Sequence, residues 1–298
     1  MVSIIRTFGI AHTDKWYFKT AFIRTFSIGK CLWKTHRRKF MKKEDVKQER
    51  ETLVVKHNDL VRKTKYDLSA QEQKLLLYLI SKIKPEDNEL SGYEINLENL
   101  CEVCGIQKQA KTFRDFGAIL KKLSDNSFWA DFGKGWGIHR WLNSVYFPET
   151  AGMTKEEVEH TIPKKVVVGF DNDLKPFLLY LKQNYTSYQL DFVLAMRSKY
   201  AIRLYELLKS YLYLGMYEPS VEELRELLQV VGYDMYNDFK KRVLCPAVDE
   251  INRFTDIFVD AVPVRCGKTI ARIRFTIDNK DYELIETSTA ERDCVLEG

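Results

Sequence analysis

The sequence is poor in residues that cross-link small secreted domains or hold structural metals. It has six cysteines and seven prolines in 298 residues. The cysteines are scattered, at Cys31, Cys101, Cys104, Cys245, Cys266 and Cys294. Such spacing forms no disulfide framework, so it favours a reducing cytoplasm over secretion. No apolar run approaches the ~20 residues of a membrane span, and no membrane partner is expected.

Patterns that would carry catalysis or cofactor binding are also missing. The chain has five histidines, His12, His36, His57, His139 and His160. No two stand one residue apart, as the metal site beside a DNA-nicking tyrosine would require. Cys101 and Cys104 lack a second pair at zinc spacing, so they are interpreted as packing residues. Before Gly267-Lys-Thr269, the first glycine of a phosphate-binding loop is replaced by Val262. The sequence predicts no enzyme, no cofactor and no metal.

The net charge of +5 is unevenly distributed along the chain. Residues 1–40 hold nine Lys or Arg against one acid, Asp14, which leaves 38 basic and 41 acidic residues in the remainder. A uniform cationic field is therefore absent from most of the chain. Any surface for a polyanion must be local.

The first forty residues differ from the rest in being basic and aromatic, without a sustained period. Arg37-Arg-Lys-Phe40 can be encoded by AGG AGG AAA TTT, a purine-rich ribosome-binding site before the start codon of Met41. We therefore predict that residues 1–40 are an upstream extension, disordered and outside the fold. A transit peptide or a membrane-surface segment is the alternative interpretation.

A basic amphipathic helix is predicted over Asp238–Asp256, interrupted at Pro246. At 100° per residue, one face carries the apolar side chains Phe239, Val243, Ala247, Ile251 and Phe254. Lys241, Arg242 and Asn252 are expected to point away from that face, and Lys240 to lie on its flank.

A hairpin without acidic residues is predicted to follow, over 261–277. Its second strand alternates apolar and polar residues, which indicates a half-buried strand with one cationic face. The hairpin carries four basic residues, Arg265, Lys268, Arg272 and Arg274. A short helix, a basic helix and a basic hairpin in that order predict a winged-helix DNA-binding domain. A solvated charged helix beside an ordinary hairpin is the simpler alternative.

The order helix, short strand, helix, helix, hairpin is predicted twice along the chain. The first copy opens with a helix capped by Ser69 and Glu72, and the second opens at Lys199. The fold class expected is α+β, with two tandem winged-helix domains. The domains are predicted as 41–170 and 171–280, followed by a tail over 281–298.

Four separated blocks in this chain also stand in a recognisable order. They are Val54-Val-Lys-His-Asn-Asp-Leu60 with Leu68-Ser-x-x-Glu-Gln-Lys-Leu75, Tyr200-Ala-x-Arg-Leu-Tyr-Glu-Leu-Leu208, Val243-Leu-x-Pro-Ala-Val-x-Glu-Ile-Asn252 and Thr255-Asp256. Together they resemble the plasmid replication initiator (Rep) proteins that bind iterons. The resemblance covers about residues 50 to 280.

The resemblance implies binding to repeated double-stranded origin DNA as a monomer, and to an inverted repeat in the protein's own operator as a dimer. It implies repression of its own gene and recruitment of the host initiator ATPase, helicase and primase. It places Lys240, Lys241 and Arg242 at the major groove, with Arg265, Lys268, Arg272 and Arg274 against phosphate. By the same resemblance, the first domain carries the dimer contact and contributes Lys108, Lys111 and Arg114 to DNA contact, while the second domain reads the bases. A tandem winged-helix transcriptional repressor and a rolling-circle nicking enzyme are the alternatives.

Overall fold

The computed structural model describes residues 41–105, 110–133, 135–161 and 163–280. Its first half contains six helices and six strands along these ranges. The helices are α1 (Lys43–Arg50), α2 (Asn58–Arg62), α3 (Ala70–Ile80), α4 (Leu97–Val103), α5 (Ala110–Asp125) and α6 (Lys155–His160). The strands are β1 (Leu53–His57), β2 (Tyr93–Asn96), β3 (Ser127–Asp131), β4 (Trp136–Arg140), β5 (Leu142–Tyr146) and β6 (Lys165–Phe170).

The second half follows with α7 (Lys175–Leu178), β7 (Tyr185–Gln189), α8 (Leu190–Ala195), α9 (Lys199–Tyr211), β8 (Met216–Tyr217) and α10 (Val221–Leu227). The basic helix then runs through α11 (Tyr236–Phe239), a π turn (Lys240–Leu244) and α12 (Cys245–Phe254). Strands β9 (Ile257–Cys266) and β10 (Thr269–Asn279) complete this half. No helix in the described part of the chain is both long and apolar enough to cross a membrane.

Local capping explains where several helices begin. The Ser69 hydroxyl accepts from the Glu72 amide at 3.3 Å, and the Glu72 carboxylate accepts from the Ser69 amide at 2.9 Å. This reciprocal pair is the capping box predicted for α3. At α4 and α10 the side-chain oxygens of Asn96 and Ser220 accept from backbone amides of the first turn, without the reciprocal bond. Helix starts are therefore encoded locally.

The predicted order of helix, short strand, helix, helix and hairpin is present twice. It runs through α3, β2, α4, α5 and β3–β4, and again through α9, β8, α10, the basic helix and β9–β10. The two copies differ in sheet pairing. Strand β8 pairs with the hairpin strand β10, whereas β2 pairs with β6 and leaves β3–β4 as a separate two-stranded sheet. The repeat is thus one of element order and not of hydrogen bonding.

The two halves are joined by pairing and packing. Strand β1 pairs antiparallel with β7 from Leu53 opposite Gln189 to His57 opposite Tyr185, across the boundary predicted at residue 170. Helix α9 contacts α2 and α3 in the first half and α12 in the second. The domain boundaries stay a prediction, and the predictions for residues 1–40 and 281–298 lie outside the described residues.

The predicted interruption at Pro246 takes the form of a π turn just before the proline, and the chain stays helical through it. Proline lacks an amide hydrogen and its ring crowds the carbonyl four residues earlier, which normally kinks a helix. Here the π turn Lys240–Leu244 immediately precedes the proline, and Pro246 lies in the first turn of α12. The wider π turn makes room for the proline ring. The hydrogen-bond pattern therefore changes locally, and the helix continues.

Candidate nucleic-acid interface

The basic helix separates its apolar and cationic side chains as predicted. Phe239, Val243, Ala247, Ile251 and Phe254 are all buried against the second-half core. The cations of the π turn, Lys240, Lys241 and Arg242, are exposed. Lys240, expected on the flank of the apolar face, is exposed with the other two. Three consecutive cations of this helix are therefore open to solvent.

Asn252 was expected to point away from the core, and this expectation is wrong. Its side-chain nitrogen donates to the Val259 carbonyl at 2.8 Å, and its oxygen accepts from the Val259 amide at 2.7 Å. An asparagine amide offers one donor group and one acceptor, so it pairs with a strand backbone as another strand would. Asn252 therefore fixes the end of the basic helix to β9 and is a structural residue.

The hairpin β9–β10 forms the predicted wing, and its turn lies where expected. Cys266 and Thr269 are paired across a two-residue turn, in which Gly267 has φ of 62°. A positive φ at the first turn position is typical of the II′ hairpin turn and favours glycine. Arg265 and Lys268 are exposed at this tip. The turn holds two cations at the outermost point of the hairpin.

The two basic residues further down β10 are exposed but not free. Arg274 Nε lies 2.6 Å from Glu218 Oε2, and Arg272 Nη1 lies 3.8 Å from Glu218 Oε1. Glu218 was not predicted as a partner because it directly follows β8, outside the acid-free hairpin. In the sequence, the only sign of this contact was the short strand before α10, which would pair with the wing and bring Glu218 close to it. A carboxylate between these guanidinium groups weakens both as partners for phosphate.

The cations predicted in the first half are less completely placed. Lys108 lies outside the described residues. Lys111 and Arg114 belong to α5, but their side chains are not among those that the structure describes. Their assignment to DNA stays a prediction.

The remaining cations lie on the exposed surface of the basic helix and of the wing tip. Within the described ranges, no carboxylate pairs with the cations of the π turn or with those of the wing tip, which are Lys240, Lys241, Arg242, Arg265 and Lys268. A helix with exposed cations, followed in the chain by a hairpin with a cationic tip, is suited to a major groove and its flanking phosphates. This geometry supports a local cationic surface in a chain whose remaining charge is close to balanced.

Two thiols lie within the same surface. Cys245 follows Lys241 by four residues and so shares its side of the helix, and Cys266 belongs to the wing tip; both are exposed. By contrast, Cys101 is fully buried, and burial raises the pKa of the Cys104 thiol to about 12. No three His, Cys, Asp or Glu side chains within the described ranges come together as a metal site would require.

Two copies of the helix–helix–hairpin arrangement, one with a cationic helix and wing, define a tandem winged-helix DNA-binding protein. Residues 53–209 match the family model described as initiator replication protein, WH1, so this match extends beyond the first half into α9. Residues 220–277 match the initiator Rep protein, WH2, model. The chain therefore belongs to the initiator replication protein family and is a plasmid replication initiator. The predicted fold class and resemblance are confirmed.

The chain is also similar to one solved structure, described as the crystal structure of RctB domains 2-3. The identity is 13%, and the match covers 74% of this chain and 84% of that chain, with a TM-score of 0.42. This is a distant likeness.

Proposed function

We propose that the protein binds directly repeated sites in its plasmid origin through the basic helix and wing of the second half. The observation that carries the proposal is that the π turn of the basic helix and the tip of the hairpin that follows it both carry exposed cations. The helix would read base edges, and Arg265 and Lys268 would contact phosphates. Arg272 and Arg274 would contribute less, because both contact Glu218. Lys108, Lys111 and Arg114 would add contacts from the first half.

We propose further that the protein represses its own gene as a dimer bound to an inverted repeat. The host initiator ATPase, helicase and primase would supply the chemistry of origin opening, since the sequence offers no catalytic pattern of its own. The protein would work in the bacterial cytoplasm on plasmid DNA. The family match favours an initiator over the alternative of a dedicated repressor.

A dimer surface is available on the hairpin β3–β4. Trp129, Trp136 and Ile138 are 57%, 68% and 60% exposed, and Trp129 stands directly opposite Ile138. In the described part of the chain, β4 pairs only with β3 and leaves one edge open. An open edge beside an apolar face suits pairing with a second copy of the chain.

Replacing both tryptophans, Trp129→Lys with Trp136→Lys, is expected to abolish the dimer and preserve binding to a single direct repeat. Loss of a central interface aromatic costs at least ~2 kcal/mol. Sedimentation of the full chain with inverted-repeat and direct-repeat duplexes measures both states. Leu214→Lys, another exposed apolar position, is the matched control. A double variant that still dimerises would exclude this surface.

Arg242→Ala is expected to relax base preference as well as affinity, because a bidentate arginine–guanine contact discriminates by ~1–3 kcal/mol. Lys268→Ala at the wing tip should weaken all sequences about equally, because phosphate contacts carry no base information. Selection from duplexes with randomised positions in the origin repeat measures both effects. The helix and wing roles would be reversed if Lys268→Ala altered preference and Arg242→Ala did not.

Origin DNA is expected to protect Cys245 and Cys266 from maleimide in a chain carrying Cys31→Ser and Cys294→Ser. Both thiols are exposed in the free protein, whereas Cys101 is buried and the raised pKa of Cys104 leaves it protonated at pH 7.5. Mass spectrometry after brief labelling should find two modified cysteines without DNA and neither with it. Undiminished labelling of Cys245 on bound DNA would remove the basic helix from the interface.

A further inference from the structure

The turn between α10 and the basic helix is held by a single arginine. Arg225 donates to the carbonyls of Gly232 at 3.0 Å, Tyr233 at 2.6 Å and Asp234 at 3.0 Å. Its guanidinium carbon lies 5.7 Å from the ring centre of the buried Phe239. The turn is therefore tied to the first residues of the basic helix and to the core beneath it.

The backbone of this turn adopts costly conformations. Gln229 and Tyr233 have φ of 49° and 57°, in the left-handed region that residues other than glycine rarely occupy. Such residues persist only where their surroundings enforce them, and they cluster at functional sites. The hydrogen bonds from Arg225 provide that enforcement at Tyr233. They fix the direction in which its ring leaves the backbone.

The Tyr233 ring lies beside a cation of the proposed reading face. The guanidinium carbon of Arg242 lies 5.7 Å from the ring centre, within the range of a cation–π contact. Tyr233 is 38% exposed, and Arg242 is exposed. An arginine side chain loses considerable rotamer entropy when it is fixed, so a ring on one side restricts the directions it samples before DNA arrives.

We propose that Tyr233 is a positioning residue that orients Arg242 for its contact with a guanine, with Arg225 holding the turn that carries Tyr233. The inference rests on the proposed function, since it requires that the basic helix reads DNA. By this proposal the turn before the helix determines specificity, although the turn itself contains no cation that contacts a base.

The test compares Tyr233→Ala, Tyr233→Phe and Arg242→Ala by selection from duplexes randomised within the origin repeat. Tyr233→Ala should lower the preference for the guanine that Arg242 reads by about two- to fivefold, as loss of an exposed cation–π contact implies. Tyr233→Phe retains the ring and should restore the preference. In an Arg242→Ala background, Tyr233→Ala should cause no further loss at that position. An equal loss in both backgrounds would overturn the positioning role.

Tyr213→Ala is the matched control. Tyr213 is 72% exposed, and its ring centre lies 5.8 Å from the guanidinium carbon of Arg62, a residue outside the basic helix. This variant should leave base preference unchanged. Wild-type protein that showed no preference for origin DNA over unrelated duplex would overturn the proposed function itself. Wild-type preference that survives in Tyr233→Ala would overturn only the role of Tyr233.

Discussion

Doubling the salt concentration is expected to weaken origin binding by a factor of ~40 to ~150. Each phosphate neutralised on duplex DNA contributes ~0.9 to the slope of log affinity against log salt, and six to eight engaged cations give that range. Outside residues 1–40 the chain has slightly more acidic than basic residues, so no general positive field supplies the attraction. It must come from the cations of the basic helix and wing, with those predicted on α5.

Titrations at several salt concentrations can locate these contacts along the chain. Replacing Arg265 and Lys268 together with alanine should reduce the slope by about two, because each is exposed and without a carboxylate partner within the described ranges. Replacing Lys30 and Lys34 provides the control, since the residues before Met41 are predicted to lie outside the fold. A slope that follows the leader cations and ignores the wing would contradict both the interface and the proposed start at Met41.

Glu206→Leu is expected to cost ~3–5 kcal/mol of unfolding free energy, the largest stability loss predicted for a single substitution here. Glu206 on α9 is 1% exposed and pairs with the equally buried Lys56 on β1. It also accepts from the Tyr188 hydroxyl on β7. Leucine would leave the ammonium and the hydroxyl buried without this partner. Denaturant unfolding of the full chain measures the loss.

The pH dependence of that variant follows from Lys56. Burial lowers the pKa of Lys56 below its usual 10.5, and the attraction of Glu206 opposes the shift. Without Glu206 the folded chain binds this proton more weakly than the unfolded chain does. Stability should therefore rise with pH in the variant up to about 10.5, the unfolded value, and fall toward neutral pH.

Two further variants separate the buried pair from a general loss of helix stability. Lys56→Met combined with Glu206→Leu should recover most of the stability, because apolar residues of similar volume replace a buried ion pair without penalty. Glu51→Ala removes one partner of an exposed pair, at 3.8 Å from Lys47, and should change little. A Glu206→Leu protein as stable as Glu51→Ala would show that the pair contributes nothing.

Local patterns were sufficient for much of the fold. The apolar face of the basic helix, the Ser69 capping box and the turn at Gly267 all follow from neighbouring residues, and the structure contains each of them. Contacts between distant residues were not predictable in this way. Glu218 reaches Arg274 only because β8 pairs with β10, and Asn252 meets Val259 only after the chain reverses.

The same distinction between local patterns and distant contacts applies to the residues of the candidate site. The exposed cations of the π turn and wing tip follow from helix and strand periodicity. The contact of Tyr233 with Arg242 depends on a turn whose conformation Arg225 sets from the preceding helix. Neither turn geometry nor the reach of a long side chain is visible in a hydrophobic pattern. Residues that position a reading side chain are therefore harder to find than the side chain itself.

The π turn has a consequence for how such a helix can change its target. Phe239, Val243, Ala247 and Ile251 recur every four residues, a spacing that drifts ~40° per step around an ordinary α-helix. The wide turn at Lys240–Leu244 absorbs part of that drift and keeps Phe239 in the core with the others. It also carries the three cations. Insertion or deletion of one residue at this point would rotate the cations by ~100° around the helix axis, while the identities of the other side chains stay the same. The DNA specificity proposed for this helix can therefore change through rotation of the cations about the helix axis, as well as through substitution of side chains.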